Sequence, residues 1–152
     1  MSAITDIMVA LKTAIETALP TYQRMPNPYF LDRNSALLMR SGYGVGVGAA
    51  NNTNRLITGK VSIDRTFEIV LVNQIDALPS DAVNVELEEK AILEAAFTLI
   101  KYFENNEQLG ISNVVLNSRY LSDGGIEFID LEVQRYHQLT LSVGVEYIET
   151  II

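Results

Sequence analysis

The chain has 152 residues, the size of one domain with a single core. With 48% hydrophobic and 20% charged residues it has the balance of a globular protein rather than a disordered one. Its net charge of −8 argues against a general affinity for nucleic acid or anionic membranes, both of which reward a basic surface. The absence of cysteine excludes disulfides, thiolate zinc sites and cysteine nucleophiles together, and a single histidine, His137, leaves little room for histidine-rich metal sites or a conventional triad.

No run of about 18 apolar residues appears, so no transmembrane span is expected. Met1-Ser2-Ala3-Ile4-Thr5-Asp6 lacks the basic start and apolar core of a secretory signal, and the chain reads as soluble and unprocessed. Charge is uneven along it. Residues 1–75 carry seven basic and five acidic side chains (+2), and residues 76–152 carry four basic and fourteen acidic (−10). An acidic solvated surface accounts for this, and so does a molecule whose two sides differ in sign and meet head to tail between copies.

The first element is a helix over residues 2–19. Ile4, Ile7, Met8, Leu11, Ala14, Ile15 and Ala18 recur at three- and four-residue steps, Ser2 can cap the start, and Pro20 ends it. Tyr22 to Asn34, with Pro26 and Pro28, reads as an extended connection. In residues 35–50, glycines at 42, 44, 46 and 48 alternate with Tyr43, Val45 and Val47. Period two is a strand period, so one face is bare backbone and something should lie close against it. Asn51-Asn52-Thr53-Asn54 reads as a polar loop or hairpin tip.

Residues 61–75 alternate Ile63, Phe67, Ile69 and Leu71 with Asp64, Thr66 and Glu68, a strand pattern. A second helix is expected over 83–106, its stripe made by Ile92, Ala95, Ala96, Leu99 and Phe103 and its first turns acidic at Glu86, Glu88 and Glu89. Further strands are expected at 111–119, 127–135 and 139–147, with Tyr120 to Gly125 as a turn centred on Asp123-Gly124-Gly125. Short polar turns imply antiparallel pairing, and amphipathic helices need a face to cover. The expected fold is a single α+β domain over 1–152, a mainly antiparallel sheet with two amphipathic helices packed on one face.

The glycine run does not make a phosphate loop. The dinucleotide fingerprint needs a sixth-place glycine where Val47 stands, and no Gly-Lys-Ser/Thr follows. His137 lies between two period-two stretches; a general base is conceivable, but no glycine-elbow serine accompanies it, and a turn or bulge position is the simpler reading. Asp130 and Glu132 could share a strand face and bind a cation, a spacing that nineteen acids also produce by chance. Tyr22, Tyr29, Phe30 and Tyr43 near Arg24, Arg33 and Arg40 could stack bases, though core or subunit contacts suit an acidic chain better. No catalytic set, metal site or cofactor site emerges, and no enzymatic activity is expected.

The order of elements resembles a family. An amphipathic helix precedes Asn27-Pro28-Tyr29-Phe30; strands follow at Gly42-Tyr43-Gly44-Val45 and Phe67-Glu68-Ile69-Val70-Leu71. A central helix then leads to a closing strand, Leu141-Ser142-Val143-Gly144-Val145-Glu146-Tyr147. This is similar to the tail terminator (tail completion) proteins of long-tailed bacteriophages. The resemblance implies a homo-oligomer, a six-membered ring, capping the tail tube protein and meeting the head-side connector protein. Its place would be the neck of the virion, assembled in the host cytoplasm, with DNA only passing through the lumen and no membrane contact. Another connector or adaptor subunit, or a soluble small-molecule-binding module, are the alternatives. Under this reading the Tyr22–Arg33 connection (Tyr29, Phe30, Arg33) and the Asn51–Lys60 loop (Asn51, Asn52, Asn54, Arg55) would touch neighbours. Asp123, Glu127, Asp130 and Glu132 are candidates for an acidic lumen lining.

Overall fold

The computed structural model describes residues 2–25, 40–78, 80–130 and 134–151. In chain order the elements are α1 (Ala3–Ala18), β1 (Gln23–Arg24), β2 (Ser41–Ile57), β3 (Lys60–Ile75), α2 (Ala82–Asn105), β4 (Val115–Asp130) and β5 (Arg135–Thr150). One sheet has the order β1-β2-β3-β5-β4, antiparallel throughout except for the short parallel pair of β1 with β2. The fold is α+β, as expected.

The helices form where their caps and stripes place them. Ser2 Oγ accepts from the Thr5 amide at 3.4 Å, and Ala3, Ile7, Leu11, Ala14 and Ile15 are the buried positions of α1. Asp81 caps α2 by accepting from the Asn84 amide at 3.3 Å. Every buried side chain of α2 falls in its second part, at Ile92, Ala95, Ala96, Leu99 and Phe103, and none falls between 82 and 91. After α2 the chain reverses through Leu109 (φ 52°) and Gly110 (φ 75°); a leucine accepts this left-handed conformation because its side chain joins the core.

Period-two alternation sorts the sheet into two faces. Tyr43, Val45, Phe67, Ile69, Leu71, Leu139, Leu141, Val143, Val145 and Tyr147 share one cluster with the buried residues of both helices. Each fully buried aliphatic or aromatic side chain contributes about 1.5–3 kcal/mol. The opposite face carries a small cluster of Met25, Val70, Val72 and Tyr136 near one end; toward the other end it turns polar, with Asp64, Thr66, Glu68, Ser142 and Glu146. Burial pushes the Tyr136 phenol upward.

Four sequence expectations are corrected. Asn51–Asn54 is neither loop nor tip but part of β2: Asn52, Thr53 and Asn54 pair with Asp64, Ile63 and Ser62. Their polarity reflects an exposed strand, not a reversal. The hairpin turns at Thr58-Gly59, where Gly59 takes φ 86°. Tyr120–Gly125 is likewise strand: Asp123 Oδ1 accepts from the Gly125 amide at 2.9 Å, and Gly125 at φ 78° forms an irregularity where the β4–β5 register slips. Asp-Gly-Gly chemistry here makes a bulge instead of a turn. The expected strand 127–135 is divided, because β4 ends at Asp130 and β5 begins at Arg135. His137 is neither turn nor bulge; it is buried within β5, between Asn73 of β3 and Phe128 of β4.

The bare glycine face does have close neighbours. Gly42, Gly44 and Gly46 are buried, and a Cβ on Gly48 would stand 2.7 Å from the Thr66 carbonyl oxygen of β3.

Candidate assembly interface

The sheet's two lateral edges are its most distinctive surfaces. On the β2 side, β1 pairs only with Gly42 and Tyr43, so from Gly44 to Ile57 no described strand lies outside β2. On the other side β4 is the outermost described strand along Val115–Asp130. Each edge presents a row of backbone donors and acceptors without a ladder partner among the described residues.

The two edges differ chemically. Residues 41–57 hold Arg55 and no acid, a balance of +1, whereas residues 115–130 hold Asp123, Glu127 and Asp130 against Arg119, a balance of −2. The β2 edge has no proline. Its free end is apolar and basic: Leu56 and Ile57 are exposed beside Arg55 and Lys60, and the Ile151 amide donates to the Gly59 carbonyl at 2.8 Å, tying the end of β5 to the tip.

A polar network holds the lower end of the β2 edge. The Tyr43 hydroxyl donates to Glu16 Oε1 at 2.5 Å, Arg24 Nη2 meets the same oxygen at 2.8 Å, and Arg24 Nε donates to the Tyr43 oxygen at 3.1 Å. One residue each from α1, β1 and β2 is thereby fixed. The Tyr43 hydrogen bond and then Arg24 hold the Glu16 carboxyl below the usual glutamate range. Burial, then the bond to Glu16, pushes the Tyr43 phenol upward.

The structure scatters the residues expected at contacts. Asn51 and Asn54 are exposed on β2, with Asn51 Nδ2 donating to Thr66 Oγ1 at 2.8 Å; Arg55 is also exposed, and Asn52 sits at the register position opposite Asp64. Asp123, Glu127 and Asp130 lie along β4; Asp123 Oδ2 accepts from the Tyr120 hydroxyl at 2.9 Å, which raises the Tyr120 phenol's pKa. Tyr29, Phe30, Arg33 and Glu132 lie outside the described residues.

The polar sheet face went unremarked in the sequence. Asp64 and Glu146 are register partners, and Arg119 Nη2 from β4 reaches Asp64 Oδ2 at 2.8 Å while Asp64 Oδ1 is buried with no partner among the described residues. The alternation of Asp64, Thr66 and Glu68 in β3 was visible; the strand order that sets Glu146 and Arg119 beside them was not.

A cavity of about 500 Å³ lies under the first turns of α2, lined by Ile75, Val85, Phe128, Glu88, Arg135 and His137 among others. Glu88 is already engaged: its two oxygens accept from the Asp76 and Ala77 amides at 2.7 and 3.0 Å. Arg135 Nη2 donates to the Ala77 carbonyl at 3.1 Å. His137 Nδ1 is buried and unpartnered among the described residues. Among the described residues, no three His, Asp or Glu side chains are grouped so as to hold a metal ion, and no helix is long and apolar enough to cross a membrane. Neither a protein-family model nor a curated protein matches this chain.

Proposed function

We infer that the chain is a structural, non-enzymatic subunit of a bacteriophage neck, a tail terminator or a closely related connector or adaptor subunit. It acts through repeated protein contacts: copies form a ring, six-membered by the family resemblance, that caps the tail tube and meets the head-side connector. In this reading it resides in the virion, is assembled in the host cytoplasm, and lets DNA pass through its lumen. The two amphipathic helices serve as a solid backing on one face of the sheet. The observation that supports the reading is a pair of long, dissimilar sheet edges without strand partners among the described residues, since a heterologous ring needs two different patches per subunit that meet each other. The decisive experiment removes the chain from a phage that encodes it and images the products. Separate filled heads and tails, rejoined when the chain is added back, are expected; normally joined particles without it refute the proposal.

One observation favours a second reading, a small-molecule-binding module. His137 lines the cavity under α2, and its Nδ1 is buried with no partner among the described residues. A metabolite screen by thermal shift tests it; a saturable rise in Tm abolished by His137→Phe would support this reading over the first.

A further inference from the structure

We propose that the cavity under α2 binds a small amphipathic amine, an apolar body with an ammonium head whose N–H donors meet His137 and whose charge is balanced by Glu88 and Glu89. The proposal rests on the second reading above, the cavity as a ligand site, and names the class of ligand; it is independent of the neck assignment.

The cavity lies where a core row changes character. On β3 the row that faces the helices runs Phe67, Ile69, Leu71 and then Asn73; on β5 it runs Val143, Leu141, Leu139 and then His137. Asn73 and His137 are register partners, so two polar groups replace the apolar stripe at one level. The change comes at the end of the sheet where α2 buries no residue between 82 and 91, and there the space of about 500 Å³ opens between helix and sheet. Small-molecule sites occupy roughly 300–1,000 Å³. A second cavity of about 230 Å³, lined by Asn73, adjoins the first and shares Ile75 and Glu88 with it.

Both polar residues carry an unmet group. His137 is only 6% exposed, and its Nδ1 has no partner among the described residues; the same holds for the buried Asn73 Oδ1. A neutral imidazole has one donor nitrogen and one acceptor, and an orphaned buried N–H is the rarer case, so Nδ1 is the acceptor. Asn73 Oδ1 is an acceptor by nature. Side by side, the two leave this end of the row short of donors, which an N–H-bearing ligand supplies.

The charges select the head group. Glu88 and Glu89 stand against Arg135 in the lining, a balance of −1 with the imidazole neutral. Glu88 accepts from two backbone amides, yet a carboxylate has lone pairs for more, and Glu89 is exposed at the rim. The nearby cations are engaged: Arg135 donates to the Ala77 carbonyl, and Arg40 pairs with Asp76 at 2.7 Å. A carboxylate ligand would therefore meet two like charges, while an ammonium meets two opposite ones. Ile75, Val85, Ile126 and the half-exposed ring of Phe128 give the apolar body its walls, and the ring also attracts a cation.

The test sets hexylammonium, hexanol and hexanoate, one apolar body with three head groups, against the full chain at neutral pH. His137 is the chain's one histidine, so its imidazole C–H resonances report on the cavity without assignment of the rest, and calorimetry gives the affinities. Hexylammonium is expected to shift those resonances saturably and to bind at least about tenfold tighter than hexanoate. Glu89→Gln, at an exposed position that should not disturb folding, is expected to weaken hexylammonium by about two- to fivefold and to leave hexanol unchanged. Hexanol or hexanoate binding as tightly as hexylammonium overturns the amine assignment and leaves the cavity reading standing. Hexylammonium that binds without moving the His137 resonances, or with an affinity indifferent to Glu89→Gln, overturns the placement of its head group. If none of the three binds, the proposal is overturned, and the metabolite screen then judges the cavity reading by itself.

Discussion

Replacing Gly48 by alanine isolates the backbone contact that lets β2 and β3 approach. An added Cβ would stand 2.7 Å from the Thr66 carbonyl oxygen. Ordinary carbon–oxygen contacts begin near about 3.3 Å, so the strands must separate by roughly 0.6 Å. The obstacle is backbone, not the end of a flexible side chain, and Arg65 Nη1 already donates to the Gly48 carbonyl at 3.0 Å. Overpacking of this kind costs about 1–3 kcal/mol. In a chain of this size that lowers Tm by about 2–4 °C for each kcal/mol. Gly124→Ala is the matched control, since nothing lies within 4 Å of its would-be Cβ. It should be neutral or stabilising by about 0.4–1 kcal/mol through the unfolded state. Urea unfolding of the three proteins measures both differences. Equal stability of Gly48→Ala and the unaltered chain would refute the close-approach reading of the glycine run.

Leu99→Ala, at a fully buried position of α2, should cost about 2–5 kcal/mol, whereas Leu93→Ala on the exposed side should stay within about 0.5 kcal/mol; denaturant titration separates them. Ser118→Ala removes a buried hydroxyl with no partner among the described residues, so stability should hold or rise, and a loss beyond about 1 kcal/mol would disclose a bound water. The Glu16 pKa is lowered on folding, so its contribution is fully present above the ordinary glutamate pKa and is lost as pH falls through the depressed value; Glu16→Gln should flatten that acid limb in a pH series of Tm. The Tyr43 pKa is raised, so its contribution is present below the ordinary tyrosine pKa and lost as pH rises through the elevated one; ultraviolet titration should show one late-ionising phenol fewer in Tyr43→Phe. Deleting residues 51–54 removes ladder positions of β2 opposite Ser62–Asp64, so Tm should fall, as it would not for a surface loop.

The helices and the central strands were legible because their signals are local. Ser2 and Asp81 cap, Pro20 stops, and Ile63 to Leu71 alternate, with no need of distant partners. The two misplaced reversals share one cause. Asn-Asn-Thr-Asn and Asp-Gly-Gly are turn compositions, yet β3 and β5 run alongside and supply ladder partners that hold both segments extended. The true tip, Thr58-Gly59, carries a weaker composition and is marked only by a glycine in a left-handed conformation. His137 misled in the same way, because a polar residue between two alternating runs looks like an interruption until β3 and β4 are placed on either side of it.

What no local pattern could disclose is which strands end up outermost. Strand order is a property of the whole chain: β5, last in sequence, inserts between β3 and β4 and so leaves β4 outermost among the described strands, while β1 pairs with only two residues of β2. The acids of β4 therefore acquire their meaning from position, not spacing. Asp123, Glu127 and Asp130 on an interior strand would be expensive to bury; on the outermost described strand they stay exposed to solvent. The same logic explains why the positive and negative halves of the chain need not sit on opposite hemispheres. The two outer described strands differ in sign, +1 over residues 41–57 and −2 over residues 115–130, while belonging to one sheet.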